Sequence, residues 1–264
     1  MTEINSFKKY DREGAYHYKL MSSDQFYAAK IKKALSMVNS GAVVFDIGCG
    51  DGVFLKYARE IGARVFGMDT SEEGVKLARV FSGCENLYIG SANNLPFLSS
   101  SADLIVMIDV INYIQDYAGA IHEASRALKE QGNLVIMSPH DIDIEEEKET
   151  IPDSWQKHGC SVDDLRAVLE GNMKITEIIF IRKPVLVKIL QNVIYVLRVS
   201  GLLRLLRWIT RHKHHEAESE DIVVIDHAKR GYDIHLDYYN MPKSLIKKYE
   251  PIEFIIIAQK NPYI

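Results

Sequence analysis

The chain reads as an α/β protein with a mostly parallel sheet covered by helices on both faces, and three observations carry that expectation. Between residues 41 and 140, strand-like apolar runs alternate with segments of helical periodicity, the pattern of repeated β-α-β units with right-handed crossovers. The run Leu104–Ile108 is apolar throughout, as a central strand buried on both faces requires. The first strand ends in an acid and passes straight into glycines, VVFDIGCGDG over residues 43–52. In an open parallel sheet the carboxyl ends of the strands form the crevice where ligands bind.

Taken in order, the first 40 residues look helical, especially Gln25–Val38. They are either a lid over the crevice or helices packed on the sheet edge. Val43–Asp46 is β-branched and aromatic, which predicts the first strand. Val53–Ile61 predicts a helix with Phe54, Leu55, Ala58 and Ile61 on one face, closed by Gly62. Arg64–Asp69 is the second strand, and Glu72–Phe81 the second helix, with Ser71 as its N-cap. Leu87–Gly90 makes a short third strand, Leu104–Ile108 the fourth, Tyr117–Leu128 a helix and Asn133–Met137 the fifth strand. The acidic run DIDIEEEKET, 141–150, reads as a solvated loop. Ser161–Leu169 has the cap and early acids of a helix start. Ile175–Ile181 and Phe254–Gln259 are strand-like, with a long insertion between them.

A chain of 264 residues is long enough to bury a core as one α/β domain with additions. Its 47% hydrophobic and 26% charged residues are the balance of a folded soluble protein. A net charge of -4 removes the general electrostatic reason to expect nucleic acid. Cys49, Cys84 and Cys160 are odd in number and form no CxxC pair, so no disulfide framework or metal site is expected. A reducing cytoplasm fits that usage. The polar N-terminus lacks the apolar run of a secretory signal, and no uncharged apolar stretch reaches the roughly 20 residues of a bilayer span.

Glycine in such a loop lets the backbone turn sharply and a ligand approach with no Cβ in the way. The pattern alone does not separate cofactor classes, since dinucleotide enzymes share it. Two details shift the balance. The spacing is GxGxG with an acid two residues ahead, and Val53 stands where a dinucleotide site wants glycine or alanine. Asp69 then closes VFGMD, where a carboxylate can accept both ribose hydroxyls of an adenosine, a role both cofactor classes share.

Four segments in order, VVFDIGCGDG, VFGMDTS, GSANNLPFLSSSADLIVMIDVINYI and LKEQGNLVIMSP, resemble the class I S-adenosylmethionine-dependent methyltransferases, in their small-molecule, type 11-like branch. The resemblance covers residues 41–140 well and the remainder loosely. It implies a Rossmann-like seven-stranded sheet whose last strand runs antiparallel, and S-adenosylmethionine as cofactor. It further implies that Asp46, Gly48, Cys49 and Gly50 form the loop along the methionine part. Asp69, followed by Thr70, would bind the ribose, Ser91 and Ala92 would flank the adenine, and Asp109 would stand near the methionine and acceptor. The Cys49 thiol carries no chemistry in this reading and is a small buried filler. One departure is Ser91, where the family often has an acid to accept from the adenine amino group. The expected organisation is a helical lid (1–40), a cofactor-binding core (41–183), a basic amphipathic insertion (184–220) and a C-terminal segment with the last strand (221–264).

Methyl transfer is an in-line displacement, to which alignment and exclusion of water contribute much. A hydroxyl or amine acceptor also calls for a base titrating near neutrality, for which histidine is suited. Three histidines qualify. His140 follows the fifth strand in IMSPHD, His158 precedes SVDDLRAVL, and His17 sits in GAYHYKLM. Each also reads as a surface or capping residue. Tyr113 is either a pocket residue or packing. The Asn/Asp-Pro-Pro-aromatic loop of exocyclic-amine methylases is absent, DVINY standing in its place, and there is no Pro-Cys nucleophile. Nucleic-acid acceptors are therefore disfavoured. A small or lipid-like acceptor, methylated on oxygen rather than carbon or nitrogen, is the expectation.

From Arg182 to His215 there are eight Lys or Arg and no Asp or Glu. Lys188, Gln191, Asn192, Tyr195 and Arg198 fall on one helical stripe. Beyond Ser200-Gly201, Arg204, Arg207 and Arg211 oppose Leu202, Leu206 and Ile209, with Trp208 beside the apolar side. Such a segment can lie in an anionic membrane interface, which would put the protein at the inner membrane surface. Alternatively it is a helix pair packed on the domain or on a second subunit, or a channel for a hydrophobic substrate. Two rival functions stand beside the enzyme: a membrane adaptor that binds the cofactor without turning it over, and an NAD(P)-dependent oxidoreductase. Oligomeric state is not legible.

Overall fold

A computed structural model describes residues 8–139, 161–181 and 253–262. The chain divides into two compact units, Met1–Ile181 with Leu236–Ile264, and Arg182–His235. Every described residue belongs to the first. His140, His158, the acidic run 141–150 and the basic insertion lie outside the described residues.

Three helices lead in: α1 (Lys8–Glu13), α2 (Tyr16–Ser23) and α3 (Gln25–Leu35). The alternating core follows as β1 (Val43–Ile47), α4 (Val53–Glu60), β2 (Arg64–Asp69), α5 (Glu72–Ser82), β3 (Leu87–Ile89) and β4 (Ala102–Ile108). A short 3-10 turn, Ile111–Tyr113, precedes α6 (Tyr117–Ala127) and β5 (Leu128–Pro139). After these come α7 (Val162–Leu169), β6 (Met173–Ile181) and β7 (Glu253–Lys260). The local signals act as read. Ser71 Oγ accepts the Gly74 N–H at 3.0 Å to cap α5, and Ser161 with Asp164 forms a capping box on α7. Each satisfies amide donors that a helix start otherwise leaves open.

The seven strands form one sheet in the order β3-β2-β1-β4-β5-β7-β6. Only β7 is antiparallel, pairing with β5 on one side and β6 on the other. The expected seven-stranded α/β sheet with a reversed last strand is what the chain builds. On one face Phe45, Ile105, Met107, Leu134 and Ile136 pack with Ala120, Ile121 and Ala124 of α6 and with Leu165 and Leu169 of α7. Their strand neighbours Val44, Val106 and Val135 alternate to the opposite side and are equally buried, so the central strands are apolar on both faces, as two helical layers demand.

One element differs. The fifth strand was expected from Asn133 but begins at Leu128, directly after α6. Its pairing with β4 jumps from Ala102↔Leu128 to Leu104↔Asn133. The intervening residues bulge at Gln131, which takes a left-handed φ of 61°. A bulge interrupts the alternation that would have announced the strand. No helix among the described residues is long and apolar enough to cross a membrane.

Candidate functional site

The strand order reverses between β1 and β4, so their carboxyl ends open a crevice at a topological switch point. The loop leaving β1 is pinned to β2, since the N–H groups of Gly48 and Cys49 both donate to the Met68 carbonyl, at 2.7 and 3.0 Å. Gly48, Gly50 and Gly52 take φ of +77°, +52° and +80°, conformations that a Cβ disfavours. Asp69, at the end of β2, completes the brace. One carboxylate oxygen accepts the Gly50 N–H and the other the Ser71 N–H, each at 2.8 Å. A carboxylate has about four acceptor positions, so each oxygen keeps capacity for another donor. Burial raises the Asp69 carboxyl above its ordinary pKa, against the opposing pull of those backbone donors and of His17. Burial, together with the charges of Asp69 and Asp51, also pushes up Asp46 at the end of β1.

The N-terminal helices converge on this loop. Asp51 is completely buried, and its carboxylate accepts both the backbone N–H of His17 at 2.9 Å and its Nδ1 at 3.1 Å. The His17 ring stacks on Tyr27, with centroids 5.4 Å apart and planes at 14°. It also lies 4.0 Å from the Tyr16 ring and 6.0 Å from Tyr10. The Tyr10 hydroxyl sits directly over Gly50, where a Cβ on that residue would collide with it. Tyr10, Tyr16 and Tyr27 all have raised pKa values, burial first and neighbouring carboxylates second.

Beside this cluster, Asp109 leaves β4 with a left-handed φ of 56°. Lys30 of α3, only 3% exposed, donates to its Oδ2 at 2.6 Å. Oδ1 of Asp109 is buried and has no hydrogen-bond partner among the described residues.

The structure thus brings Asp46, Gly48, Cys49, Gly50, Asp69, Asp109 and His17 to one crevice. Thr70 follows Asp69 and is exposed. Ser91 Oγ accepts the Asn93 N–H at 3.3 Å just beyond β3, while Ala92 belongs to the core. The Cys49 thiol is buried and its pKa pushed up, chiefly by burial, consistent with an inert filler. Tyr113 is 44% exposed on the 3-10 turn. Sequence reasoning missed Asp51, Lys30, Tyr10, Tyr16 and Tyr27. Asp51 was legible as an acid inside the glycine run. Lys30 interrupts the buried face that Tyr27, Ile31, Ala34 and Val38 trace. The tyrosines carried no signal apart from their number.

Residues 45–136 match a family described as a methyltransferase domain. The ribosomal protein L11 methyltransferase of Caldanaerobacter subterraneus is 31% identical over 143 residues, 47% of this chain and 45% of that protein. The demethylmenaquinone methyltransferase of Tropheryma whipplei is 32% identical over 103 residues, 38% of this chain and 42% of that protein. The chain spans about half the length of the curated relatives it matches. Among solved structures, a chain from the complex of the Haloferax volcanii Trm112 methyltransferase activator with its methyltransferase aligns over 97% of both chains, with a TM-score of 0.63 at 18% identity. That likeness is one of fold.

Proposed function

We propose that this chain is a class I S-adenosylmethionine-dependent methyltransferase that transfers a methyl group from that cofactor to a small or lipid-like acceptor, on oxygen, a reading supported by the match of residues 45–136 to a methyltransferase domain. One observation carries the reading: the Asp69 carboxylate at the switch point is held by two backbone N–H groups with capacity left on both oxygens. A vicinal ribose diol fits that arrangement.

The remaining residues fit the cofactor as well. Gly48 and Gly50 would line its methionine part, and Ser91 and Ala92 would flank the adenine. The Oδ1 of Asp109, buried and without a hydrogen-bond partner among the described residues, would accept from the cofactor's ammonium. When bound, the cofactor supplies an activated methyl group on a sulfonium. The chain then has to align an acceptor in line with that group, keep water away and receive a proton. The N-terminal helices, with Tyr10, Tyr16 and Tyr27 laid over the loop, would serve as the lid that excludes water. His17, the one histidine of the three candidates among the described residues, would receive the proton, which favours a hydroxyl acceptor.

A lipid-like acceptor draws its support from residues 182–215, basic and leucine-rich with no acid. The same segment favours a second reading, in which the protein lies at an anionic membrane surface. Flotation with anionic liposomes that disappears in high salt, or on changing Arg204, Arg207 and Arg211 to Glu, would support it. No flotation at low salt sinks it. If flotation occurs and no acceptor is ever methylated, the protein is a cofactor-binding adaptor.

Calorimetric titration with S-adenosylmethionine, with NADH as control, tests the main reading. Micromolar binding of the first alone is expected. Absence of binding by folded protein overturns it. Incubation with phenolic and lipid hydroxyl acceptors, read by mass spectrometry as an added methyl, then tests the acceptor class. A product methylated only on a protein or on RNA would overturn that part.

A further inference from the structure

The geometry points to Asp51 as a positioning residue that works from within the glycine loop. It holds His17 in one tautomer and presents its Nε2 as the base, an inference that rests on the methyltransferase reading above. A carboxylate accepts and does not donate, so the Nδ1 facing Asp51 Oδ1 at 3.1 Å carries the proton. In the neutral ring Nε2 is then bare. The second Asp51 oxygen takes the His17 backbone N–H at 2.9 Å, which ties the residue at both ends and leaves the ring little freedom to turn over.

The ring's surroundings reinforce this. Tyr27 stacks against one face, and the ring edge at Cε1 lies 3.5 Å from where a Cβ on Gly50 would stand. The Nδ1–Cε1 side of the ring therefore faces the loop that the cofactor reading places along the methionine part. A carboxylate ordering the far nitrogen of a catalytic imidazole is a general solution to the tautomer problem. Here the two halves come from different parts of the chain, so the pair assembles only when α2 is seated on the loop. Seating the helix and arming the base are one event.

The step balances. The acceptor oxygen forms its bond to the methyl carbon as the carbon–sulfur bond breaks, its electron pair staying on sulfur. The hydroxyl proton passes to His17 Nε2, and Asp51 compensates the imidazolium until that proton is lost to water. Among the described residues, the charged and titratable groups facing His17 are Asp51 on the glycine loop, Asp69 at the end of β2, Tyr10 on α1, Tyr16 on α2 and Tyr27 on α3.

The test uses the full chain with 15N-labelled histidine, followed by nitrogen NMR across pH, with the His17 signals identified by their loss in His17→Gln. Above its midpoint, His17 is expected to show the proton on Nδ1 and a bare Nε2. Asp51→Asn is expected to admit the other tautomer, and Asp51→Glu to restore the wild-type spectrum. A wild-type ring protonated on Nε2, or an Asp51→Asn spectrum unchanged from wild type, overturns the proposal. Should Asp51→Asn not fold, the wild-type tautomer alone decides. A purely structural clasp would lower the melting temperature on Asp51→Asn without moving the tautomer. Failure of the parent reading shows separately, as wild-type protein with the expected tautomer that does not bind S-adenosylmethionine.

Discussion

Replacing Asp69 by Asn keeps the shape of the side chain and removes one of its two acceptor oxygens. The wild-type carboxylate already receives the Gly50 and Ser71 N–H groups, each at 2.8 Å. The amide can receive only one of them, and its NH2 turns a donor toward the other. On the proposed cofactor reading, a ribose hydroxyl that would meet a charged oxygen meets that NH2 instead, and its neighbour meets a neutral carbonyl. Hydrogen bonds to charged groups contribute about 1.5–3 kcal/mol and neutral ones about 0.5–1.5 kcal/mol. Losing one and weakening the other costs about 2–4 kcal/mol of cofactor affinity, on the order of 30- to 1000-fold in Kd. The folded state changes less, because the amide relieves the cost of burying the charge that raises this carboxyl while giving up one backbone bond. Calorimetric titration of wild type and variant with S-adenosylmethionine reads the first quantity, and urea unfolding the second. An Asn variant that stays folded and binds within threefold of wild type would refute Asp69 as the ribose carboxylate.

Three further outcomes follow from the same geometry. Asp46 has a folded pKa raised by burial, so the folded chain holds the proton more tightly than the unfolded chain. Its stability contribution is then full below the ordinary carboxylate range and is lost as pH rises through the folded value; Asp46→Asn should stabilise the cofactor-free protein at neutral pH and flatten that decline in urea titrations. Gly50→Ala places a methyl at a φ of +52° and into the Tyr10 hydroxyl; the backbone term alone costs about 1–2 kcal/mol, and protease protection of α1 should fall, so intact protection would show that Tyr10 is not seated on the loop. Phe254→Ala empties a fully buried site on β7 and should cost about 3–5 kcal/mol, whereas a loss under 1 kcal/mol in urea unfolding would mean that β7 is not part of the cooperative core.

The fold was legible because its signals are local and repeated. A Ser before an acidic first turn, a glycine after a helix and a fully apolar strand each act within a few residues of one another, and all recur where expected. The bulged start of β5 escaped because Gln131 and Gly132 break the alternation on which strand reading depends. The candidate cofactor residues were legible for a related reason. Asp46, the glycines and Asp69 lie at strand ends, and strand ends are set by the same periodicity.

What the sequence by itself determined is therefore the order of strands and helices and the acid–glycine–acid cradle at the ends of β1 and β2, all short-range consequences of backbone propensity and burial. What only the tertiary structure decided is which distant side chains meet there: His17 with Asp51 across 34 positions, Lys30 with Asp109 across 79, and the Tyr10 hydroxyl on Gly50. Those pairings depend on how α1, α2 and α3 dock over the crevice. Docking is a sum of many weak apolar contacts around a few buried charges that must find partners, and no run of neighbouring residues encodes it.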